Sequence, residues 1–360
     1  MASALANLVY VGTYTSPGAS KGIYVLRYDP ETGELAHVHT VEGVEDPSFL
    51  TFDRTQRFLY ATNERGPSDR TIEGEVTAFE VHQVTGNLKF INKLRSRGNL
   101  PCHLVVDSSN KFLIVANYET GSVVVYPIES DGGLGPMSDF VQHAGSGPHA
   151  RQTGPHAHST NFDPSDNLLL VNDLGIDKVM AYRLDTVKGM LTPNDPPSTG
   201  IHPGGGPRHN AFHPSGRFVF VLNELDSTLD VFAFNADAGT LIHQQTVSTL
   251  PPDFDGSSTC AEIAVGASGK FVYASNRGHD SIAIFAIDDS SGHVRPVGHQ
   301  LTGGKTPRNF AIDPSGRYLL AANQESSTIV TFAIDQETGG LTPTNHVIDV
   351  PNPICLIFAA

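Results

Sequence analysis

The sequence predicts an all-β protein, a seven-bladed β-propeller with four antiparallel strands in each blade. The first observation is a pattern that occurs six times: a loop residue, an apolar run, a polar turn, a second apolar run and a closing Asn or Asp. The second is a seventh copy, NPICLIFAA, in which only the first run is present. Radially repeated units of several short strands are typical of propellers.

The repeats also define the blades. Their first residues lie about 50 residues apart, at Pro47, Pro101, Ala157, Pro207, Cys260, Pro307 and Pro353. A two-sheet sandwich or an α/β fold fits less well, because no stretch of helical length has a 3.6-residue apolar period. The β-branched runs are short and bounded by Gly, Asp, Ser and Pro. We therefore expect one propeller domain over residues 1–360.

The seventh blade is predicted to be shared between the two ends of the sequence. Pro353–Phe358 supplies its innermost strand, Leu8–Tyr14 the second, Gly22–Asp29 the third, and Leu35–Val41 the outer strand. Pairing the first and last segments in one sheet removes the open edge that an unclosed antiparallel sheet would expose. A ring closed in this way needs no partner to cover an edge, so we expect a monomer.

The composition excludes several classes of function. A formal net charge of −15 at pH 7 excludes a general nucleic-acid binder, which would carry a basic excess. No apolar run is long enough for a membrane span, and MASALANLVYVG lacks the charged region and cleavage pattern of a signal peptide. We expect a cytoplasmic protein that binds neither nucleic acid nor membrane and uses no cofactor.

The three cysteines, Cys102, Cys260 and Cys355, fall at the beginnings of innermost strands in blades that are not neighbours. Their odd number argues against a disulfide framework, and we expect buried small apolar side chains.

Comparing equivalent positions in the six full copies separates scaffold residues from candidate site residues. Counted from the turn residue (Asp53 in the first copy), the tenth position holds Asn63, Asn117, Asp173, Asn223, Asn276 and Asn323. A short amide or carboxylate at this place can hydrogen-bond backbone groups of the turn. We interpret this Asn/Asp ladder as architecture.

Three other sets of equivalent positions are not uniform, and they are the candidates for function. The first inner positions, five before the turn residue, are Ser48, Cys102, His158, Arg208, Ala261 and Arg308. The second inner positions, four before it, are Phe49, His103, Ser159, His209, Glu262 and Asn309. The rim positions, eleven after it, are Glu64, Tyr118, Leu174, Glu224, Arg277 and Gln324. The start of one strand and the end of its antiparallel neighbour lie together, so all three sets should surround one mouth of the central channel.

Long motifs in the chain resemble the seven-bladed propeller lactonases, which include propeller-type 6-phosphogluconolactonases and the fungal carboxy-cis,cis-muconate cyclase. The resemblance runs from about Val9 to Ile357 through VGTYTSPGASKGIYV, NYETGSVVVYPI, GPHAHSTNFDP, DLGIDKV, GPRHNAFHPSGRFVFVLNE, SNRGHDSIAIF and TPRNFAIDPSGRYLLAANQ. It implies hydrolysis of 6-phospho-D-glucono-1,5-lactone. The cyclase branch implies catalytic roles for the matching positions His158, Arg208, Glu224 and Arg277.

Lactone hydrolysis requires an activated water, a cation for the developing oxyanion and an acid for the leaving oxygen. Glu224, Glu262 or His158 could take the proton of the water, and the sequence leaves the choice open. Arg208 is the candidate for the oxyanion, and Arg277 and Arg308 suit a phosphoryl group as planar bidentate donors. No Gly-x-Ser-x-Gly elbow is present, so we expect direct attack by water.

The remaining predicted substrate-binding residues are His103, His209, Glu64 and Asn309. Because side chains alternate along a strand, one of Arg208 and His209 is expected to pack between blades. Glu64 could instead form an exposed ion pair with Arg65 or Arg70. The segment between His143 and His158 contains four histidines but no carboxylate. We interpret it as a long loop lining the mouth rather than a metal site.

Two alternatives to a sugar-lactone hydrolase remain at this stage. A cycloisomerase acting on carboxymuconate-type lactones would also need arginines, for the carboxylates of its substrate. A non-catalytic propeller that binds a ligand or partner would more often present an apolar, aromatic-rich face, and this sequence contains no Trp. The mixed charges at the predicted mouth favour an enzyme.

Overall fold

The computed structural model describes residues 5–16, 18–65 and 71–359, and these form seven four-stranded antiparallel sheets arranged as blades around a central channel. The innermost strands of blades 1 to 7 are Pro47–Phe52, Pro101–Val106, Ala157–Phe162, Pro207–Phe212, Thr259–Val265, Pro307–Ile312 and Pro353–Phe358. The second strands are Phe58–Asn63, Phe112–Asn117, Leu169–Asp173, Phe218–Asn223, Phe271–Arg277, Tyr318–Asn323 and Leu8–Thr13.

The two outer layers of the blades follow in the same order. The third strands are Glu73–Val81, Ser122–Pro127, Lys178–Asp185, Thr228–Asn235, Ser281–Ile287, Thr328–Ile334 and Gly22–Tyr28. The outer strands are Leu88–Asn99, Asp139–Gln142, Met190–Gly200, Thr240–Ser248, Val294–Leu301, Leu341–Asp349 and Leu35–Glu42. The predicted seven-bladed, all-β architecture is confirmed, and the part of the chain described here contains no helix long and apolar enough to cross a membrane.

The shared seventh blade is confirmed as well. Its innermost strand, from the C-terminal end of the sequence, pairs with Leu8–Thr13, and Val9 lies opposite Phe358 in the register. The innermost strand of blade 7 also packs against those of blades 1 and 6, which closes the ring. The core consists of apolar clusters between neighbouring blades. One of them joins Phe220 and Val231 of blade 4 to Val272 and Phe285 of blade 5.

A β-bulge interrupts the innermost strand of every blade at the equivalent place, directly after its first residue in six blades and after the second residue, Cys260, in blade 5. In blade 4, Pro207 lies opposite Asn223 and His209 lies opposite Leu222, which leaves Arg208 as the extra residue. The other six blades show a register shift at the equivalent position. A bulge re-aims the side chains next to it. Both inner positions of a blade can therefore face the channel, instead of alternating as in a regular strand.

The Asn/Asp ladder ties each blade to the segment that enters it. Four of the amides donate to the backbone carbonyl of the segment preceding their own blade, as Asn63 Nδ2 does to Glu45 O at 2.6 Å and Asn276 Nδ2 to Thr249 O at 2.8 Å. Asp173 instead accepts from the backbone nitrogens of His156 and Gly175. The architectural role is as predicted, but most partners lie in the incoming segment rather than in the turn.

Candidate active site

The channel contains a pocket at its mouth and a small chamber beneath it. The mouth pocket has a volume of about 320 Å³ and is lined by Tyr14, Ser16, Glu64, Leu100, Cys102, Tyr118, Arg151, His158, Glu224, Arg277, Arg308, Gln324 and Asn352. The lower chamber has a volume of about 10 Å³ and is lined by Ser48, Phe49, Glu64, Cys102, His158, Arg208, His209, Glu262, Arg308, Asn309 and Ile354. A water molecule needs at least about 10–15 Å³, so the chamber is of water size at most.

The three sets of candidate positions differ in their depth in the channel. The rim positions Glu224 and Arg277 line only the mouth pocket, whereas the rim position Glu64 lines both spaces. The second inner position Glu262 lines only the lower chamber. Of the first inner positions, Cys102, His158 and Arg308 line both spaces, and Ser48 and Arg208 line only the chamber. The predicted single mouth is therefore two layers, because each step along the innermost strand moves a side chain deeper into the channel.

Glu224 is the centre of the mouth pocket. Its Oε1 lies 2.7 Å from Arg151 Nη2, and its Oε2 lies 2.9 Å from Arg208 Nε and 3.0 Å from Arg277 Nη2. The Glu224 side chain is 4% exposed. Burial alone would raise its pKa, but Arg277, Arg208 and Arg151 together hold the pKa well below its ordinary value. A carboxylate engaged by three guanidinium groups is a weak base, which argues against Glu224 as the group that activates water.

Arg308 lies at the boundary between the two spaces and pairs with an aromatic ring. Its Nη2 donates to Tyr14 Oη at 3.2 Å, and its guanidinium lies 5.5 Å from the centre of the Tyr14 ring. Tyr14 Oη in turn donates to Glu64 Oε2 at 2.7 Å. Among the described residues, no carboxylate lies within ion-pair distance of Arg308, so its positive charge is available to an anion entering the pocket.

Glu64 is a buried pocket residue and not an exposed rim ion pair. It is 5% exposed and binds Tyr14. Arg65 pairs with Glu45 and Glu75 instead, which makes the Glu64–Arg65 alternative wrong. The other alternative partner, Arg70, lies outside the described residues.

His158 is the imidazole that lines both spaces. It is 5% exposed, and its Nε2 lies 4.0 Å from Glu224 Oε2, beyond hydrogen-bond distance. Burial, followed by the charges of Arg208 and the neighbouring His209, lowers the pKa of His158 well below its ordinary value. The ring is therefore neutral at pH 7, and a neutral imidazole can accept a proton.

Arg208 lines the lower chamber and not the mouth pocket. Its Nη1 donates to Ala261 O at 2.6 Å and lies 3.2 Å from His209 Nε2, which turns the guanidinium downward. The sequence-based assignment of Arg208 as the oxyanion cation at the mouth is therefore wrong in its placement. Burial, then the charge of Arg277, lowers the pKa of Arg208 to about 10, so it remains a cation at neutral pH.

The lower layer also contains His209, Glu262, Asn309 and His103. Glu262 Oε1 lies 2.9 Å from His209 Nδ1, and Glu262 Oε2 accepts from Asn309 Nδ2 at 2.5 Å. His103 packs against Phe49 with ring centres 4.1 Å apart and lines neither space. Direct contact with the substrate in the mouth pocket is predicted for His103, His209 and Asn309, but His209 and Asn309 line only the lower chamber and His103 lines neither space. Glu262, predicted as a candidate base, also lines only the lower chamber.

The expected alternation of Arg208 and His209 is wrong. Both residues line the lower chamber, because the bulge in blade 4 inserts one extra residue at Arg208. The same holds for Ser48 with Phe49 in blade 1 and for the pair Arg308 and Asn309 in blade 6.

The histidine-rich loop lines the mouth through an arginine. Arg151, in the loop between His143 and His158, pairs with Glu224 and donates to Tyr118 Oη at 3.0 Å. The histidines have separate partners: His143 Nδ1 lies 2.6 Å from Asp173 Oδ2, and His156 stacks on Tyr118. No group of three or more His, Cys, Asp or Glu side chains that could hold a metal ion occurs in residues 5–16, 18–65 and 71–359.

Sequence comparison of the blades missed two important pocket residues, Tyr14 and Arg151. Tyr14 follows Thr13, which lies opposite Pro353 as Asn63 lies opposite Pro47, so Tyr14 is the rim residue of blade 7. Extending the rim set to the shared blade would have identified it. Arg151 lies in an insertion without a counterpart in the other copies, where comparing equivalent positions gives no signal.

The mouth is locally positive in an acidic protein. Three guanidinium groups, those of Arg151, Arg277 and Arg308, line the mouth pocket with two carboxylates, Glu224 and Glu64. Arg208 reaches Glu224 from the layer below. The chain as a whole has a formal charge of −15. A concave, polar pocket with an excess of arginine is suited to a small anionic ligand.

The ring and its pocket define the class of protein: a seven-bladed propeller with a small-molecule site at one mouth of its channel. The sequence profile of the family described as "Lactonase, 7-bladed beta-propeller" matches residues 8–358. The chain belongs to this family, and it is a lactone hydrolase.

Named relatives are consistent with that assignment. The chain is 38% identical over 298 residues to a 6-phosphogluconolactonase of Bacillus subtilis, an alignment that covers 83% of this chain and 82% of the relative. It is 35% identical over 306 residues to a 6-phosphogluconolactonase of Formosa agariphila, covering 83% and 84%. The structure of the periplasmic gluconolactonase PpgL of Pseudomonas aeruginosa superposes with a TM-score of 0.92 at 34% identity, covering 98% of this chain and 99% of that chain.

Proposed function

We propose that the protein hydrolyses a phosphorylated sugar lactone, 6-phospho-D-glucono-1,5-lactone, to 6-phosphogluconate. The observation that carries this proposal is the excess of guanidinium groups over carboxylates at the mouth. Three arginines, Arg151, Arg277 and Arg308, line the mouth pocket with two glutamates, and this excess of positive charge suits a phosphate monoester, which is an anion at neutral pH. The names of the Bacillus and Formosa relatives support the same substrate.

In the proposed mechanism the lactone carbonyl lies at the floor of the mouth pocket, near Arg308 and His158. His158 Nε2 accepts a proton from a water molecule as that water attacks the carbonyl carbon. Arg308 stabilises the negative charge that develops on the carbonyl oxygen, an effect worth roughly 3–4 kcal/mol for one well-placed donor. The C–O bond of the ring then breaks, and the imidazolium of His158 returns the proton to the leaving ring oxygen. The product is an open-chain carboxylic acid, which ionises.

His158 is the base in this proposal because the other two candidates are less suitable. Glu224 is engaged by three arginines, and Glu262 faces a chamber too small for a sugar. Burial and then the charges of the neighbouring cations lower the pKa of His158, and an anion that binds near these cations offsets their share of the effect. Glu224, 4.0 Å from Nε2, then stabilises the imidazolium.

Arg151 and Arg277 are proposed to hold the phosphate. Their side chains are 43% and 14% exposed, so they lie nearer the solvent than Arg208, at 4%. Two guanidinium groups side by side can bind phosphate oxygens bidentately. Glu224 fixes both of them before the substrate arrives.

The test is the decay of 6-phospho-D-glucono-1,5-lactone, made freshly from glucose 6-phosphate, followed by proton release above the spontaneous rate. D-Glucono-1,5-lactone serves as the matched substrate without phosphate, and the name of the Pseudomonas relative makes it the second candidate. We expect a higher kcat/KM for the phosphorylated lactone, with the preference falling in an Arg277→Gln variant. Equal kcat/KM values for the two lactones would contradict the phosphate assignment, and no rate above background would contradict the proposal as a whole.

We also propose that the protein is cytoplasmic. Its three cysteines are free and buried, which is ordinary in a reducing compartment. Recovery of the native protein in a periplasmic fraction would contradict this location.

A further inference from the structure

The lower chamber contains a chain of hydrogen bonds that crosses four blades. It begins at the Leu356 backbone nitrogen in blade 7, which donates to Asn309 Oδ1 in blade 6 at 2.9 Å. This contact fixes the orientation of the amide, whose Nδ2 donates to Glu262 Oε2 in blade 5. Glu262 Oε1 faces His209 Nδ1 in blade 4 at 2.9 Å.

The chain continues upward from His209 to the mouth. His209 Nε2 lies 3.2 Å from Arg208 Nη1, and Arg208 Nε pairs with Glu224 Oε2 at 2.9 Å. Arg208 and His209 are buried, at 3% and 5% exposed, and the Glu262 side chain is 13% exposed. Glu224 in turn pairs with Arg151 and Arg277, so the chain ends at the cations of the mouth pocket.

The donor and acceptor roles determine the tautomer of His209. A guanidinium nitrogen can only donate, so His209 Nε2 must be the acceptor and carry no proton. An ionised carboxylate can only accept, so His209 Nδ1 must carry the proton and donate it to Glu262. The pKa directions agree, because burial lowers the pKa of His209 and keeps its ring neutral.

We propose that Glu262 and His209 are positioning residues, which hold Arg208 and through it Glu224 so that Arg151 and Arg277 are preorganised for the anionic group of the substrate. Neither residue touches the substrate, because the chamber they line has room for one water molecule at most. This inference rests on the proposed function for the identity of the anion. It assigns to Glu262 a role other than general base.

Two substitutions of His209 test the chain, because each keeps a different half of the imidazole. In His209→Gln the amide oxygen can replace Nε2 and still accept from Arg208. In His209→Asn the amide nitrogen can replace Nδ1 and still donate to Glu262, but nothing reaches Arg208. The readouts are KM and kcat for the phosphorylated lactone and the Kd of inorganic phosphate by calorimetry.

We expect KM and the phosphate Kd of His209→Gln to stay within about 3-fold of the wild-type values, because the hydrogen bond from Arg208 is kept. We expect His209→Asn to raise KM and the phosphate Kd by about 10–100-fold, the range for losing a hydrogen bond to a charged group, with a smaller change in kcat. Equal effects of the two variants, a larger effect of His209→Gln, or a loss confined to kcat would overturn the proposal.

A measurement on the unchanged protein keeps the proposal testable if a variant does not fold. Long-range ¹⁵N–¹H spectra of histidine-labelled protein show which ring nitrogen carries the proton, and His209→Gln or His209→Asn assigns the signal. We expect His209 Nδ1 to carry the proton and Nε2 to carry none. The opposite tautomer would overturn the proposed series of hydrogen bonds. The phosphate Kd and the tautomer do not depend on turnover. Absence of lactonase activity would therefore refute the proposed function without deciding this inference.

Discussion

Replacing Glu224 by Gln should destabilise the protein through unpaired cations, and phosphate should reverse much of that loss. The substitution preserves shape but removes the charge that Arg151, Arg208 and Arg277 share at 2.7–3.0 Å. Removing one partner of a buried ion pair costs about 3–5 kcal/mol. With an unfolding entropy of about 2.1 cal/mol/K per residue, the 360 residues give about 0.8 kcal/mol/K. The expected fall in Tm is therefore about 4–6 °C.

Glu64→Gln is the matched control. Glu64 lines the same pocket and is also buried, but its side chain accepts a hydrogen bond from the hydroxyl of Tyr14. An amide oxygen can accept the same hydrogen bond. We expect a loss of about 1 kcal/mol or less, in the range of a single neutral hydrogen bond.

The assay is thermal unfolding with and without sodium phosphate, with sodium chloride at equal ionic strength as the reference. Three unpaired guanidinium groups should bind phosphate more tightly than the native site, and an anion at 100 times its Kd adds about 2.7 kcal/mol. Phosphate should therefore raise the Tm of Glu224→Gln more than that of the wild type. The reasoning is refuted if the two Glu→Gln variants lose equal stability, or if phosphate shifts the Glu224 variant no more than chloride does.

Three further predictions concern His158, the buried histidines and the thiols. His158→Gln should lower kcat about 10²–10⁴-fold with KM nearly unchanged, measured by proton release, and a larger loss in Glu64→Gln would transfer the role of base to Glu64. Burial lowers the pKa of His103, His158 and His209. Below pH 6.5 the unfolded chain therefore binds more protons than the folded protein. As the pH decreases through this range, the free energy of unfolding should fall by up to about 4 kcal/mol per pH unit for the three histidines together. Urea titrations at pH 7.5, 6.5 and 5.5 measure this, and a pH-independent free energy would contradict it. Burial raises the pKa of Cys260 and Cys355 to about 12 and that of Cys102 further. A thiol reagent should therefore react with the three thiols only in the unfolded protein. Rapid reaction of the native protein would contradict this prediction.

The fold could be predicted almost completely from the sequence, because the same sequence pattern recurs in each blade. Each copy carries its own turn residue, two apolar runs and a ladder residue. A strand that is ambiguous in one copy can therefore be assigned by comparison with the other copies. Asp53 shows the physical basis: its carboxylate accepts from the backbone nitrogens of Thr55 and Phe58 and fixes the hairpin locally. Only the bulge escaped detection, since an extra residue changes no composition pattern.

The candidate site was predictable as a set of residues but not as an arrangement. The non-uniform positions identified Glu224, Arg277, Arg308 and His158, which line the mouth pocket. Depth was not predictable, because Arg208 and Arg308 occupy equivalent positions and yet Arg208 lines only the lower chamber while Arg308 also lines the mouth pocket. What separates them is the partner in the next blade: Ala261 O of blade 5 draws Arg208 downward, whereas Tyr14 of blade 7 holds Arg308 at the boundary between the two spaces.

The recurring bulge gives this scaffold a means of changing its chemistry without changing its backbone. Every blade carries an extra residue at the same register, so consecutive side chains from each can be directed to the axis. The ladder side chains do not line that inner ring. Substrate preference in such proteins can thus diverge, by mutation or by design, through point changes that leave the folding information of each repeat intact.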